Sequence, residues 1–282
     1  MKRRWSIRHT LPLAAFALTA MLAVSGGRAV WAAAADGTAV AITITDSSIS
    51  VPTTLPAGFV TINVTNAGTM PHEASFFKLN PGVTLDQLLA ASANADDPAV
   101  FLGLQQFGAF YGGPTNIDPG ATVPIVLNLT SATYGVADPQ FFDQIPPVTF
   151  TVSGTASSAA PPADVMIRQR EFAFDVPTTV KAGTTRIQVH NAGSQVHEMV
   201  LIKLDPGYTL DDIKAAVSDP ASEGPPDWVH QTTSWDAQST TVTGQLTVDL
   251  TPGTYGVLCF LPDTATGTPH ALLGMANSFT VQ

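Results

Sequence analysis

The chain runs to 282 residues, of which 45% are apolar and only 12% charged, about half the charged share of an average soluble domain. Its 22 Asp and Glu outweigh 12 Lys and Arg and leave a net charge of −10. A field of that sign repels phosphate backbones and excludes a nucleic-acid partner.

The N-terminus stands apart. Lys2, Arg3, Arg4 and Arg8 precede an apolar run at residues 11–24, followed by Gly26, Gly27 and an alanine tract at residues 32–35. That is the layout of an export signal, with residues 1–35 removed and the protein delivered to a periplasmic or extracellular space. A run of fourteen residues is shorter than the roughly 20 a spanning helix needs. No later segment is apolar enough, so no integral membrane segment is expected after cleavage. The leader holds five of the twelve basic residues and none of the acidic ones, so the remainder carries seven against 22, a charge of −15. Such a surface favours cationic partners. In an oxidising compartment the lone thiol of Cys259 is a liability. Burial is one way to protect it, and metal ligation is another.

From residue 51 the chain repeats itself. Val51-Pro52-Thr53-Thr54 returns as Val176-Pro177-Thr178-Thr179, and Asn66-Ala67-Gly68 and His72-Glu73 return as Asn191-Ala192-Gly193 and His197-Glu198, all at an offset of 125. Thr133-Tyr134-Gly135-Val136 is answered by Thr254-Tyr255-Gly256-Val257. Two tandem domains are expected, residues 36–153 and 164–282, joined by a Ser-, Ala- and Pro-rich linker at residues 154–163. Apolar and polar residues alternate at residues 185–190, 245–250 and 278–281, and Gly and Pro punctuate the runs. This pattern predicts an all-β sandwich. One short helix is expected in each domain, at residues 85–91 and 210–217. Thr84 and Thr209 serve there as N-caps, followed by Asp86 and Asp211 at the positive helix end.

The second domain supplies four side chains that together suit a redox metal. His197 follows the Asn191-Ala192-Gly193 turn, Cys259 ends a strand that begins at Gly253, and His270 and Met275 share one loop before the last strand. Two imidazoles suit Cu(II), a thiolate and a thioether suit Cu(I), and a trigonal His₂Cys set with a distant Met accommodates both. Each has a plainer reading. His197 can be structural, since His72 occupies the matching place in the first domain, and Cys259 can be a small buried hydrophobe. His270 can be a loop residue, and Met275 a core filler. Met199 competes as the thioether, but on a regular strand it belongs to the core. His190 and His230 read as surface or structural residues, and Trp228 and Trp235 as packing residues near the helical insertion.

Around these residues the second domain resembles the type 1 (blue) copper proteins, plastocyanin and its relatives. Asn191-Ala192-Gly193 with His197 is similar to their first-ligand turn. Gly253-Thr254-Tyr255, Cys259, Pro269-His270 and Gly274-Met275 are similar to their C-terminal ligand loop. The resemblance covers most of residues 165–282 in outline. It implies a cupredoxin fold, a Greek-key β-sandwich, with one copper ion held by His197, Cys259, His270 and Met275 and an electron-transfer role. In that family the second histidine offers its edge to solvent, which implies a redox partner protein docking near His270, Leu272 and Leu273. One departure stands out. Ten residues separate Cys259 from His270, where the small family members have only a few. Residues 263–267 read as a turn-rich excursion that loops out between Pro262 and Pro269. In the first domain Asp138 stands at the cysteine's position, with Phe141, Phe142, Pro146 and Pro147 filling the loop. It is expected to be cupredoxin-like and copper-free, although Met70 and His72 offer a weak Cu(I) pair.

Two-domain relatives include nitrite reductases and small laccases, whose further copper sites use additional histidines beside the copper cysteine and at domain interfaces. Here Leu258 precedes Cys259 and Phe260 follows it, no His-x-His pair occurs, and only five histidines lie beyond the leader. An electron carrier is therefore expected rather than an oxidase or reductase. Copper storage or sensing, and a copper-free binding or scaffold module, are the other readings.

Overall fold

The computed structural model describes residues 39–93, 97–154, 159–219 and 224–282. The expected export leader lies outside them, as does part of the 154–163 linker. Among the described residues no helix is long and apolar enough to cross a membrane.

The chain is all-β with short helical insertions. Its first half forms β1 (Val40–Thr45), β2 (Ser48–Ser50), β3 (Thr54–Pro56), β4 (Gly58–Asn66), β5 (Ser75–Leu79) and β6 (Gly108–Gly112). It continues with β7 (Pro114–Thr115), β8 (Thr122–Leu129), β9 (Ala132–Ala137) and β10 (Val148–Ser153). The second half forms β11 (Val165–Arg170), β12 (Ala173–Asp175), β13 (Thr179–Val180), β14 (Gly183–Asn191) and β15 (His197–Leu204). It ends with β16 (Val229–Gln231), β17 (Ser234–Gln238), β18 (Thr243–Leu250), β19 (Gly253–Leu258) and β20 (Ala276–Val281). Alternation sets the layers: Val60, Ile62 and Val64 of β4, and Ile187 and Val189 of β14, are buried while their neighbours are less so. Period-two burial of this kind marks strands with one face on a core.

One sheet orders the strands β12-β11-β14-β18-β8-β4-β1-β2, and the other β13-β20-β19-β15-β17-β6-β5-β9-β10-β3, with β16 beside β15 and β7 beside β17. In each half a parallel pair (β1 with β4, β11 with β14) is followed by an antiparallel one (β4 with β8, β14 with β18). This is a cupredoxin-like sandwich built twice, with both sheets running unbroken from one half into the other. At the junction Ile125 pairs with Leu246 and Pro114 with Trp235. The repeat at Tyr134 and Tyr255 has an offset of 121, and the same offset carries Ile125 onto Leu246 and Pro114 onto Trp235. Each pair joins a residue to its own counterpart, which is the register of an approximate twofold axis. Joining the strands this way leaves no open sheet edge between the halves.

Trp235 plugs that junction. It does not lie near the helical insertion, as its sequence neighbourhood implied. It is 1% exposed, and its indole lies against Gly112 of the first half and Gly244 of the second. A Cβ at either glycine would come within 2.2 Å of the ring, so glycine is required at both. Trp228 does pack by the insertion, stacked on Tyr208 at 4.3 Å.

The expected helices form as α1 (Leu85–Ser92) and α3 (Leu210–Ser218). Each begins with a capping box, Thr84 with Gln87 and Thr209 with Asp212, which satisfies two orphan backbone donors. The first half departs from one helix per half: it also carries α2 (Pro98–Gly103) and a 3₁₀ turn at Leu104–Gln106. The signal was in the chain, because Asp97 caps α2 ahead of Pro98 at its first position, a favoured start.

Trp235→Ala should lower the unfolding free energy by about 3–5 kcal/mol in chemical denaturation. Trp228→Ala, at the half-buried insertion, should cost clearly less.

Candidate metal centre

The second-half site is assembled from two backbone devices. The first is the turn after β14. Asn191 is fully buried; its Oδ1 accepts from the Gly193 amide at 2.9 Å, and its Nδ2 donates to the carbonyls of Gln195 at 2.7 Å and Gln238 at 2.9 Å. That side chain replaces several backbone partners at once and delivers His197 as the first residue of β15. The second device is the loop from Cys259 to β20. The Ala271 amide donates to the Cys259 carbonyl at 2.7 Å, His270 to Leu261 at 2.9 Å, Met275 to His270 at 2.9 Å and Cys259 to Met275 at 3.3 Å. A 3₁₀ turn at His270–Leu273 ends on Gly274 at φ 109°, a left-handed position that suits glycine.

These devices bring His197, Cys259 and His270 together, all fully buried. His197 Nδ1 lies 3.1 Å from His270 Nδ1, and Cys259 Sγ lies 3.4 Å from His270 Nδ1 and 4.0 Å from His197 Nδ1. Nitrogen and sulfur donors sit about 2.0–2.3 Å from a first-row metal ion, so donors sharing one ion fall about 3–4 Å apart. The three atoms match that span, and two imidazoles with one thiolate are the donors that suit copper. The cluster fits one copper ion. Among the described residues it is also the group of His, Cys, Asp or Glu side chains close enough to hold a metal.

The surroundings keep the donors ready. Burial, reinforced by the neighbouring His197, pushes His270 down to about 4. Burial likewise pushes His197 below its ordinary value, partly opposed by Glu171. Both rings are therefore neutral near pH 7, the form in which an imidazole ligates a metal. The Glu198 amide donates to Cys259 Sγ at 3.5 Å, and the Glu198 carboxylate accepts from the Phe260 amide at 2.8 Å. One residue thus holds the thiol and the backbone just beyond it. Met275 is fully buried, and its backbone is tied to both His270 and Cys259.

The residues between Cys259 and His270 form the expected turn-rich excursion, with residues 264–266 exposed in a turn beyond the Pro262–Pro269 bridge. Pro262 and Pro269 form a bridge, and Asp263 accepts from the Thr266 amide at 3.0 Å and its hydroxyl at 2.8 Å. Asp263 also accepts from Gln195 Nε2 at 2.9 Å, while Gln195 Oε1 accepts from the Thr264 amide at 2.8 Å and faces His270 Nε2 at 3.3 Å. With Gln195 on its Nε2 and Phe172 edge-on at 5.3 Å, His270 has no solvent-facing edge. Gln195 and Phe172, from outside the loop, close it, so the open edge implied by the family resemblance is absent. Leu272 and Leu273 next to it are 44% and 38% exposed, so both point outward rather than into the core.

Sequence reasoning missed Glu171, Phe172, Gln195, Glu198 and Asp263. Asp263 carried a legible signal in its Asp-x-x-Thr turn chemistry, and Glu198 in its recurrence as the counterpart of Glu73; the others act across the fold. Met199 is fully buried on β15, as a core residue should be. His190 bonds Thr243 at 2.7 Å and His230 bonds Asp205 at 2.7 Å, both away from the cluster.

The matching place in the first half is built differently. The Asn66 turn is the same, with Oδ1 accepting from Gly68 at 2.8 Å, and it delivers His72. Asp138, at the position of Cys259, accepts from His72 Nδ1 at 2.8 Å, and Asp46 faces His72 Nε2 at 3.0 Å. Phe141 sits edge-on at 5.1 Å. Burial raises the Asp138 carboxyl above its ordinary value, opposed by the His72 hydrogen bond.

No protein-family model matches the chain, and no curated protein matches it. Among solved structures it is similar to the dithionite-reduced auracyanin of Roseiflexus castenholzii, at 22% identity over 42% of this chain and 94% of that one, with a TM-score of 0.29. It is similar to auracyanin A, a "blue" copper protein from Chloroflexus aurantiacus, at 24% identity over 42% of this chain and 99% of that one, TM-score 0.28. A multicopper oxidase aligns over 86% of this chain and 88% of its own, at 16% identity and a TM-score of 0.26. At these identities and scores the likenesses carry no argument about site or activity, which rest on the geometry above.

Proposed function

We propose that the chain is an exported electron carrier of two domains, residues 36–153 and 164–282, with one mononuclear copper site formed by His197, Cys259, His270 and Met275. The observation that carries this reading is the convergence of two imidazole nitrogens and one thiol within 4.0 Å in a pocket closed to water. A copper ion bound there would take up and release one electron. The chain's part is to hold the donors in one arrangement for both states. The backbone bonds among Cys259, Leu261, His270, Ala271 and Met275 supply that rigidity. The buried Met275 thioether is assigned as the weak fourth ligand, since its residue is the one in the loop bonded to both other loop ligands.

The first domain is read as copper-free. His72 has a carboxylate against each ring nitrogen, so the nitrogen that would face a metal is already engaged by Asp138. Oxidase or reductase chemistry is not proposed, because Leu258 and Phe260 flank the cysteine. The junction between the halves is filled by Trp235 and Gln238, both buried. A redox partner protein is assigned to the ligand-loop surface, where Leu272 and Leu273 stand exposed beside buried His270. Exposed apolar residues grouped on a strongly acidic chain suit a contact site.

The copper-loaded protein should show an intense thiolate-to-copper absorption band and one copper per chain by metal analysis. Cys259→Ser should abolish the band, and Met275→Leu should keep it while shifting the potential. A Cys259→Ser protein that stays coloured, or two tightly held ions, would reject the assignment.

Acid should weaken the metal-free protein through its neutral histidines. His270 holds a value of about 4 in the fold against an ordinary 6.5, so unfolding lets it bind a proton. Its stabilising contribution is full above about pH 6.5 and is lost as pH falls toward 4. Thermal midpoints of the metal-free chain should fall across that window, and His270→Asn should flatten the profile.

Leu272→Lys or Leu273→Lys should slow electron exchange with the natural partner and leave the copper spectrum unchanged. Equal exchange rates for both variants would remove this loop as the docking surface.

A further inference from the structure

Outside the four proposed ligands, one short segment touches both imidazoles. β11 and β12 are joined by a two-residue turn, with Arg170 paired to Ala173 and Glu171 and Phe172 between them. Glu171 Oε1 lies 3.5 Å from His197 Nε2, and the Phe172 ring lies edge-on to His270 at 5.3 Å between centroids. Phe172 adopts φ 57°, a left-handed conformation that non-glycine residues rarely take and that persists where the surroundings over-determine it. Of the two turn residues only the second takes a positive φ, a position that favours glycine; here it carries an aromatic ring, with a carboxylate before it.

The His197 ring explains why a carboxylate is wanted. Its Nδ1 faces Cys259 and His270, so binding a metal through Nδ1 places the ring proton on Nε2. That Nε2 is buried and has no hydrogen bond at normal distance, a costly state for a donor. The Glu171 carboxylate is the acceptor facing it. Glu171 Oε1 itself is held by the amides of Ser194 and of Gln195, the latter at 2.9 Å, and by the Ser194 hydroxyl at 3.2 Å. The approach also requires Gly193: a Cβ there would stand 2.5 Å from Glu171 Oε1 and 2.8 Å from His197 Nε2. In the first half Asp46 makes the same approach to His72 Nε2, over Gly68. His270 differs, because its Nε2 faces the neutral amide of Gln195.

We propose that the Glu171-Phe172 turn is an outer clamp on the metal ligands, in which the Glu171 carboxylate positions His197 through Nε2 and lowers the reduction potential, while Phe172 holds the His270 ring. Glu171 is a positioning residue, since it does not touch the metal. A negative charge one imidazole away from the site favours Cu(II) over Cu(I), so its removal should raise the potential. This inference rests on the copper reading above.

Glu171→Gln separates the clamp from mere loop capping, because the amide oxygen still accepts from Ser194 and Gln195 while the charge is gone. The variant should unfold at nearly the wild-type denaturant midpoint. Its Cu(II) affinity should fall by about 10–100-fold, with a smaller loss for Cu(I) and hence a higher potential. Glu171→Asp, which restores the charge as Asp46 has it, should recover part of the difference. Nitrogen-15 shifts of the metal-free wild type should place the His197 proton on Nε2. A proton on Nδ1 in the wild type, or a Glu171→Gln protein with both copper affinities unchanged, would overturn the clamp. A wild type that shows no thiolate-to-copper band would instead overturn the copper reading itself.

Discussion

Two neutral imidazole nitrogens held 3.1 Å apart, with a thiol beside them and all three residues fully buried, are an arrangement that the side chains alone would not choose. Each has the other and the thiol as its polar neighbours, and burial removes the solvent that would otherwise satisfy them. Everything around the site acts against that tendency. The Asn191 side chain fixes the turn before His197, a ring of backbone bonds fixes the loop carrying Cys259, His270 and Met275, and Gln195 joins the two. The donors are thus positioned by groups that make no use of a metal. That is the preorganisation a redox site with little rearrangement requires.

The two halves show how little must change to alter such a place. The turn, the histidine, the glycine that admits a carboxylate and the carboxylate itself appear in both. At the position of Cys259 the first half has Asp138, which takes hold of His72 Nδ1. The Asp138 carboxyl oxygen at His72 Nδ1 lies in the direction in which a thiolate and a metal would stand. The same turn and the same carboxylate approach hold the histidine in either half, which is why the surrounding frame is so similar.

Groups from outside its loop decide the exposure of His270. In the second half Asp263 and Thr264 bond Gln195 beside the Pro262–Pro269 bridge, and His270 is sealed by Gln195 and Phe172. The apolar pair Leu272 and Leu273 stands outward on the 3₁₀ turn that carries His270. Sheet continuity adds a second constraint. With Trp235 seated between Gly112 and Gly244, the halves share one buried apolar cluster, and a change at the junction is felt on both sides.

Much was legible in the amino-acid order because it depends on local spacing. Alternation gave away the strands, Thr84 and Thr209 the helix starts, and His197, Cys259 and His270 stood out by residue type and by the turns beside them. The Asp97-Pro98 start was equally local and was overlooked. What spacing cannot express is which side chains approach from elsewhere in the chain. Glu171 and Phe172 reach the histidines only because β11 lies parallel to β14. Trp235 belongs to the junction rather than the insertion because β17 pairs with first-half strands. His270 is closed rather than open because Gln195, 75 residues earlier, meets it across the sandwich. The sequence by itself determined the donor types and the strands that present them, since both follow from residue chemistry and period. The tertiary structure alone decided their outer partners and exposure, because those contacts join residues that only folding brings within bonding distance.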